Sequence, residues 1–287
     1  MSEKTKKLKI VKSNSLVQAK YRLTVQEQRL ILLAISQLNR YEELTDQQMY
    51  SVYAKDMANL TETSLDQTYD DLRKSALRLK RREVTIYEKP NSEGNHDEVL
   101  IANWVQTVKY VKKQGRVDLR FNHDIIPYLN QLKITESFTE FLLNGPNNEL
   151  FKMTSSYGYR IFELLMQWKN VGKRSIEIDW LKHTLELPSS YDSMTNLKRR
   201  VITPAIKDIN DHTPYWVKLS QQKSGTVITH FVFTFGLKDD LKPKKKTAKD
   251  KKLTKTDLND PKFLSTHARP GETKDQAIRR LKEQFNV

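Results

Sequence analysis

Apolar and polar positions fall into an order that occurs twice along this chain. In the first half, Thr24-Val-Gln-Glu27 has the spacing of a capping box, in which hydroxyl and carboxylate satisfy each other's helix-start amides. Leu30, Leu33, Ala34, Ile35 and Leu38 then recur at helical spacing. A polar loop leads to a strand-like piece at Tyr50–Tyr53 and a short helix over 54–60. The turn Thr61–Ser64 opens a third helix, running to about Arg82, with Ser64 and Gln67 spaced as a second capping box. Strand-like runs follow at 84–87, 99–111 and 116–121.

The second half repeats the sequence of elements. A helix over 157–168 carries Ile161, Leu164, Leu165 and Trp168 on one side. Ser175–Asp179 alternates like a strand, and a short helix from Trp180 to Leu187 is stopped by Pro188. A long helix spans roughly 191–210, and the runs 216–219 and 227–235 form a hairpin across the turn Gln221–Gly225. Phe231, Phe233 and Phe235 alternate, giving that hairpin one buried face.

Helix, short strand, helix, turn, helix, hairpin is the winged helix-turn-helix plan. Its third helix enters the major groove of DNA and its hairpin wing lies along the backbone. The predicted fold class is therefore α+β, two tandem winged helix-turn-helix domains with a basic C-terminal tail. The expected boundaries are a flexible N-terminus at 1–12, domains at 13–140 and 141–237, and a tail at 238–287. That tail opens with a Lys-rich linker. Further on, the capping spacing of Thr273–Gln276 precedes a stripe of Ala277, Ile278, Leu281 and Phe285 that predicts a short helix.

Both third helices divide into an apolar and a polar face. In the second, Met194, Leu197, Val201, Ala205 and Ile209 lie opposite Asn196, Arg199, Arg200, Thr203 and Lys207. Arg and Asn bond guanine and adenine edges, Thr offers a methyl to thymine, and Lys holds a phosphate. Pro204 removes a backbone donor and predicts a bend. In the first, Leu65, Tyr69, Leu72, Ala76 and Leu79 lie opposite Gln67, Asp71, Lys74, Arg78, Arg81 and Arg82. Lys74, Arg78 and Arg81 are its candidate DNA contacts, while Asp71 suits the helix dipole. A solvated charged face gives the same pattern, and the duplication is what favours DNA. The candidate wings are 109–116, with Lys112, Lys113 and Arg116, and 218–224, with Lys218 and Lys223, as phosphate contacts.

Charge agrees with this reading. Lys+Arg total 50 against 35 Asp+Glu over 287 residues, a formal charge of +15. Such an excess points to a polyanion, nucleic acid before an acidic membrane surface. No cysteine is present, which removes disulfides and thiolate metal sites. The longest apolar run, Leu30–Ile35, is too short to span a bilayer, and no signal-peptide core precedes it, so a soluble, cytoplasmic protein is expected. There is no phosphate-binding G-x-x-x-x-G-K-[ST] loop and no paired-histidine metal motif. No cofactor, metal or catalysis is expected.

The segments Tyr159-Arg-Ile-Phe-Glu-Leu-Leu-Met-Gln-Trp168, Tyr191-Asp192 and Leu197-Lys-Arg-Arg-Val-Ile-Thr-Pro-Ala-Ile-Lys-Asp-Ile-Asn210 resemble the replication initiators of iteron-containing bacterial plasmids. The runs Ser13–Leu16 and Leu23–Leu30 resemble the start of the same family. The resemblance implies two winged helices that bind one directly repeated site as a monomer. It also implies a homodimer that represses the initiator's own promoter at an inverted repeat, with the N-terminal domain as interface. DNA melting and recruitment of a host initiator and replicative helicase are implied as well. Carried over to this chain, the matched segment gives Lys198, Arg199, Arg200 and Lys207, whereas the helical wheel turns Lys198 towards the docking side. Two reading heads in successive major grooves call for a site of about 20 bp. A tandem winged-helix transcriptional regulator and a nonspecific chromatin-like binder share these features, and the target sequence separates them.

Overall fold

Thr24 starts the first long helix as its spacing predicts. Its hydroxyl accepts from the Glu27 amide, and the Glu27 carboxylate accepts from the Thr24 amide at 2.8 Å. The computed structural model describes residues 8–39, 44–87, 98–129, 138–145 and 148–241, with 274–276 and 278–279. Residues up to Asp239 form one compact unit and 240–287 a second.

The first unit begins with β1 (Lys9–Ser13), α1 (Asn14–Gln18) and α2 (Val25–Ile35), followed by β2 (Tyr50–Tyr53), α3 (Ala54–Thr61) and α4 (Leu65–Leu79). Next come β3 (Glu83–Ile86), β4 (Leu100–Asn103), β5 (Val105–Val111), β6 (Arg116–Phe121) and β7 (Phe138–Leu142). The second half holds α5 (Ser156–Met166), β8 (Lys173–Glu177), α6 (Ile178–Thr184), α7 (Met194–Leu197), α8 (Thr203–His212), β9 (Tyr215–Ser224) and β10 (Val227–Leu237).

The repeat seen in the sequence is a repeat of topology. In the first half the antiparallel sheet runs β2-β6-β5, and in the second it runs β8-β10-β9. In each, the short strand after the first helix pairs with the outgoing strand of the wing, Val52 opposite Val117 and Ile176 opposite Phe231. Phe231, Phe233 and Phe235 are buried, as their alternation predicts. Each such ring contributes about 1.5–3 kcal/mol by leaving water.

Several boundaries differ from expectation. Residues 9–12 belong to β1, which pairs with β7, so the segment expected to be flexible ends before Lys9. The run 99–111 is two strands, because Trp104 turns fully into the core, edge-on to Tyr21 at 4.9 Å. This sends β4 to β3 and β5 to β6. Ser64 makes no side-chain cap; Gln67 donates to Asp71 instead of reaching back, and the Thr68 hydroxyl donates to the Ser64 carbonyl. Leu65, at the first turn of α4, is 53% exposed rather than docked. Trp168 lies beyond the end of α5 and is 46% exposed. α6 ends at Thr184, where Glu186 turns left-handed before Pro188 is reached. The second wing turns at Gly225-Thr226, with Gly225 at φ +60°, so Lys223 sits within β9 opposite Ile228. In the tail, 274–276 and 278–279 are helical and the start of the Lys-rich linker, Lys238–Leu241, is a 3-10 turn, while Ala277, Leu281, Phe285 and the linker from 242 lie outside the described residues.

Candidate nucleic-acid interface

α7 and α8 form one continuous helix, the predicted reading helix, joined by a wide π turn at Lys198–Ile202. Pro204 explains the turn. Its ring excludes the α-helical position of the Arg200 carbonyl, and it has no amide to offer that oxygen. The disturbance expected at Pro204 thus takes the form of an extra residue in the turn before it. Val201 and Ile202 are both buried in consequence, beside the expected Leu197, Ala205 and Ile209. Met194 is only partly buried against this core.

Docking on that side leaves Arg199, Arg200, Thr203 and Lys207 exposed on the other. Lys198 is half-buried, between the two faces. Asn196 is half-buried too: its amide donates to the Ser190 carbonyl at 3.2 Å and its oxygen accepts from Arg199. It therefore fixes the turn before the helix and the Arg199 side chain. From Met194 to Lys207 the helix holds no carboxylate. The first acid, Asp208, is buried, where it accepts the amides of Thr154 at 2.8 Å and Ser155 at 2.6 Å. Asp211 is the first exposed acid, and its carboxylate pairs with Lys207 and raises the lysine pKa.

α4 is a different surface. Its first two turns carry Asp66, Asp70 and Asp71, which suit the positive end of the helix dipole but repel a phosphate. Its basic side lies further along. Lys74 and Arg81 are exposed there, as predicted. Arg78 is not free: its Nε bonds Glu27 Oε1 at 3.0 Å, beside Arg82 on Oε2 at 3.1 Å, and Glu27 is fully buried. Arg116 is likewise held at home, by Asp118 at 3.0 Å and by the Tyr53 hydroxyl at 3.3 Å. Of the predicted cations, Arg78 and Arg116 are therefore paired within the fold, as is Arg82, while Lys207 pairs with the exposed Asp211.

The wings keep most of their predicted cations outward. Lys112 and Lys113 are exposed in a single 3-10 turn closed by Gly115 at φ +57°. Lys218 and Lys223 are exposed along β9, with Lys218 lying 5.6 Å over the Trp216 ring. The structure also sets Arg73 beside Tyr110, two residues the sequence reading did not single out. Arg73 is exposed on α4, and its charge acts on the Tyr110 phenol of β5, which burial nonetheless pushes up in pKa. Strand pairing of β5 with β6, rather than helical spacing, is the signal that locates Tyr110. Among the described residues no group of three or more His, Asp or Glu could hold a metal ion, and no helix is long and apolar enough to cross a membrane.

Two winged helices, one with an acid-free basic reading face, define the class: a tandem winged-helix DNA-binding protein. Family models narrow it. Residues 9–166 match the model described as "Initiator Replication protein, WH1", and residues 177–235 match "Initiator Rep protein, WH2". The chain belongs to this initiator replication protein family. It is 30% identical over 237 residues to a "Replication initiation protein" of Escherichia coli, covering 79% of this chain and 69% of the relative. It is 24% identical over 267 residues to the "PI protein" of Escherichia coli, covering 84% and 86%. An "Uncharacterized 27.6 kDa protein" of the same organism is 27% identical over 230 residues, covering 77% and 92%. Among solved structures, the Pi initiator protein in complex with iteron DNA has a similar fold, with a TM-score of 0.67 at 22% identity, covering 82% of this chain and all of that one.

Proposed function

We propose that the chain initiates plasmid replication by binding directly repeated origin DNA, the iterons, with both winged helices. One observation carries this reading: the reading helix presents Arg199, Arg200, Thr203 and Lys207 on a face without a carboxylate before Asp211, while Leu197, Val201, Ile202, Ala205 and Ile209 lock its other face into the core. A face of this kind bonds base edges with its arginines and holds backbone with its lysine. The family membership and a similar protein titled as a complex with iteron DNA support the same target.

In this reading the second winged helix reads sequence, and the first contributes backbone contacts through Lys74, Arg81, Lys112 and Lys113. Bound protein deforms the neighbouring duplex and acts by binding energy alone. A host initiator and the replicative helicase are the partners at the origin. A homodimer, joined through the N-terminal domain, represses the chain's own promoter at an inverted repeat, and the protein works in the cytoplasm.

Footprinting of the full chain on its own replicon tests this, with wild type beside the double variant Arg199→Ala/Arg200→Ala at about 150 mM salt, where nonspecific binding is weakened. Tandem protected repeats of about 20 bp, lost in the variant, are the expected result. Protection of a promoter inverted repeat alone would replace the reading with that of a transcriptional regulator. Uniform protection unaffected by the substitutions would leave a nonspecific binder.

A further inference from the structure

Beside the turn that enters the reading helix lies a crevice of about 390 Å³, whose charged lining is Lys20, Arg22, Lys182, His183, Glu186 and Asp192. Two of these residues come from the N-terminal half of the chain, where they are firmly placed. Lys20 exchanges both backbone hydrogen bonds with Thr85 at 2.9 Å, and the Tyr21 amide donates to the Thr184 carbonyl of α6 at 3.4 Å. Tyr21 and Leu23 are buried, so Arg22 between them points outward. The Arg22 guanidinium lies 5.9 Å over the Tyr157 ring. That ring meets Tyr191 edge-on at 6.4 Å, in the turn that leads into α7.

The cations of the crevice differ in availability. Lys182 is held by Asp179 and Asp192, each at 3.3 Å, which also neutralises Asp192. Among the described residues neither Lys20 nor Arg22 has a carboxylate partner. Glu186 is the remaining acid, so the lysines and arginine of the lining, Lys20, Arg22 and Lys182, outnumber its acids, Glu186 and Asp192. In a helix-turn-helix the first helix and the turn lie across the DNA backbone, which is where this crevice opens.

We propose that Arg22 and Lys20 clamp one DNA phosphate beside the C-terminal reading head. The clamp is composite: the N-terminal segment supplies the cations and α6 with its following turn supplies the wall. It rests on the DNA-binding function proposed above. Its contribution is to position the reading helix, since contacts to phosphate carry no base information. The clamp exists only while the segment 20–22 stays stitched between β3 and α6.

The test uses the full chain and the replicon duplex protected in the footprint, titrated by fluorescence anisotropy between about 50 and 200 mM salt. Loss of one phosphate contact lowers the slope of log K against log salt by about 0.9. We expect that drop in Lys20→Ala/Arg22→Ala, with affinity about tenfold weaker and the preference for the repeat over a scrambled duplex unchanged. Glu186→Gln, at an exposed position, should tighten binding to both duplexes alike, and it keeps the test open if the double variant does not fold. An unchanged slope, or Glu186→Gln without effect, overturns the clamp. Loss of repeat preference in the double variant also overturns it, because the two side chains would then act on the reading helix itself. A wild-type protein that does not distinguish repeat from scrambled duplex would instead overturn the initiator reading.

Discussion

Glu163→Gln should cost the fold several kcal/mol, because the carboxylate it removes is the counter-charge of two buried cations. Glu163 sits in α5 at 1% side-chain exposure, and the fully buried Lys12 of β1 approaches its Oε1 at 2.6 Å. Oε2 accepts from the Tyr21 hydroxyl at 3.2 Å and pairs with Arg160 at 3.2 Å. Arg160 also bonds the Ala19 carbonyl at 2.7 Å and packs on the Tyr21 ring, 3.6 Å from its centre. One carboxylate thus holds two buried cations and joins the N-terminal segment to α5. Glutamine keeps the shape but removes the counter-charge, leaving an ammonium and a guanidinium buried together. Breaking a buried pair from one side costs about 3–5 kcal/mol. With a urea m-value of about 2.5 kcal/mol/M, the unfolding midpoint should fall by about 1–2 M. Lys12→Met should cost less, because Glu163 keeps Arg160, and in the double variant it should recover part of the Glu163→Gln loss. Burial alone would raise the Glu163 pKa, but Lys12 and Arg160 outweigh it and hold the group below its ordinary 4.5. A depressed folded-state value stabilises fully above 4.5 and is lost as pH falls through the folded value. The gap between wild type and Glu163→Gln should therefore be flat near neutrality and close in acid. Urea denaturation followed by circular dichroism across pH reads both effects. A Glu163→Gln midpoint equal to wild type, or additive losses in the double variant, would refute the reasoning.

Two further substitutions examine the interface. Lys112→Ala/Lys113→Ala removes exposed cations from the first wing, so the salt slope of binding should fall by up to about 1.8 without a change in repeat preference; a slope equal to wild type would remove this wing from the DNA contact. Pro204→Ala restores an amide that the Arg200 carbonyl can accept, and closing the π turn rotates Arg199 and Arg200 by about 100° relative to Thr203 and Lys207. Base discrimination should drop while thermal stability holds or rises, and an unchanged preference between repeat and scrambled duplex would show that the π turn does not aim the arginines.

What the sequence made legible is what depends on neighbours a few residues away. The Thr24 cap, the Phe231–Phe233–Phe235 alternation and the Leu197–Val201–Ala205–Ile209 stripe are local periodicities, and each is realised. The duplication itself could be read because both halves use the same short periods in the same order. Errors appear where two local choices compete. Thr68 takes the carbonyl of Ser64 while the expected Ser64–Gln67 box stays unmade. Trp104 breaks a run that alternates well enough for one strand, because its large ring finds Tyr21 in the core. Pro204 announced a disturbance, but only packing decides that it becomes a π turn with Ile202 buried.

The charged residues form a harder class, since a charge looks the same in sequence whether it faces water, DNA or a partner across the core. Arg78 has the helical phase of a DNA contact, and what pairs it within the fold is Glu27, 51 positions earlier. Lys12 falls in a segment read as a flexible terminus, and its partner Glu163 is 151 positions away. Arg116 and Asp118 were the exception, two apart on one face of β6, a spacing from which their pairing could have been read. Arg199 and Arg200 survive as candidates for the converse reason: among the described residues no carboxylate pairs with them. The proposed interface is thus read largely by subtraction, from the cations left exposed after the fold has paired its own, with Lys207 and its Asp211 partner both at the surface. Arg22 and Lys20 meet the same criterion although no helical wheel includes them, and this is the physical ground on which the phosphate clamp stands beside the reading helix.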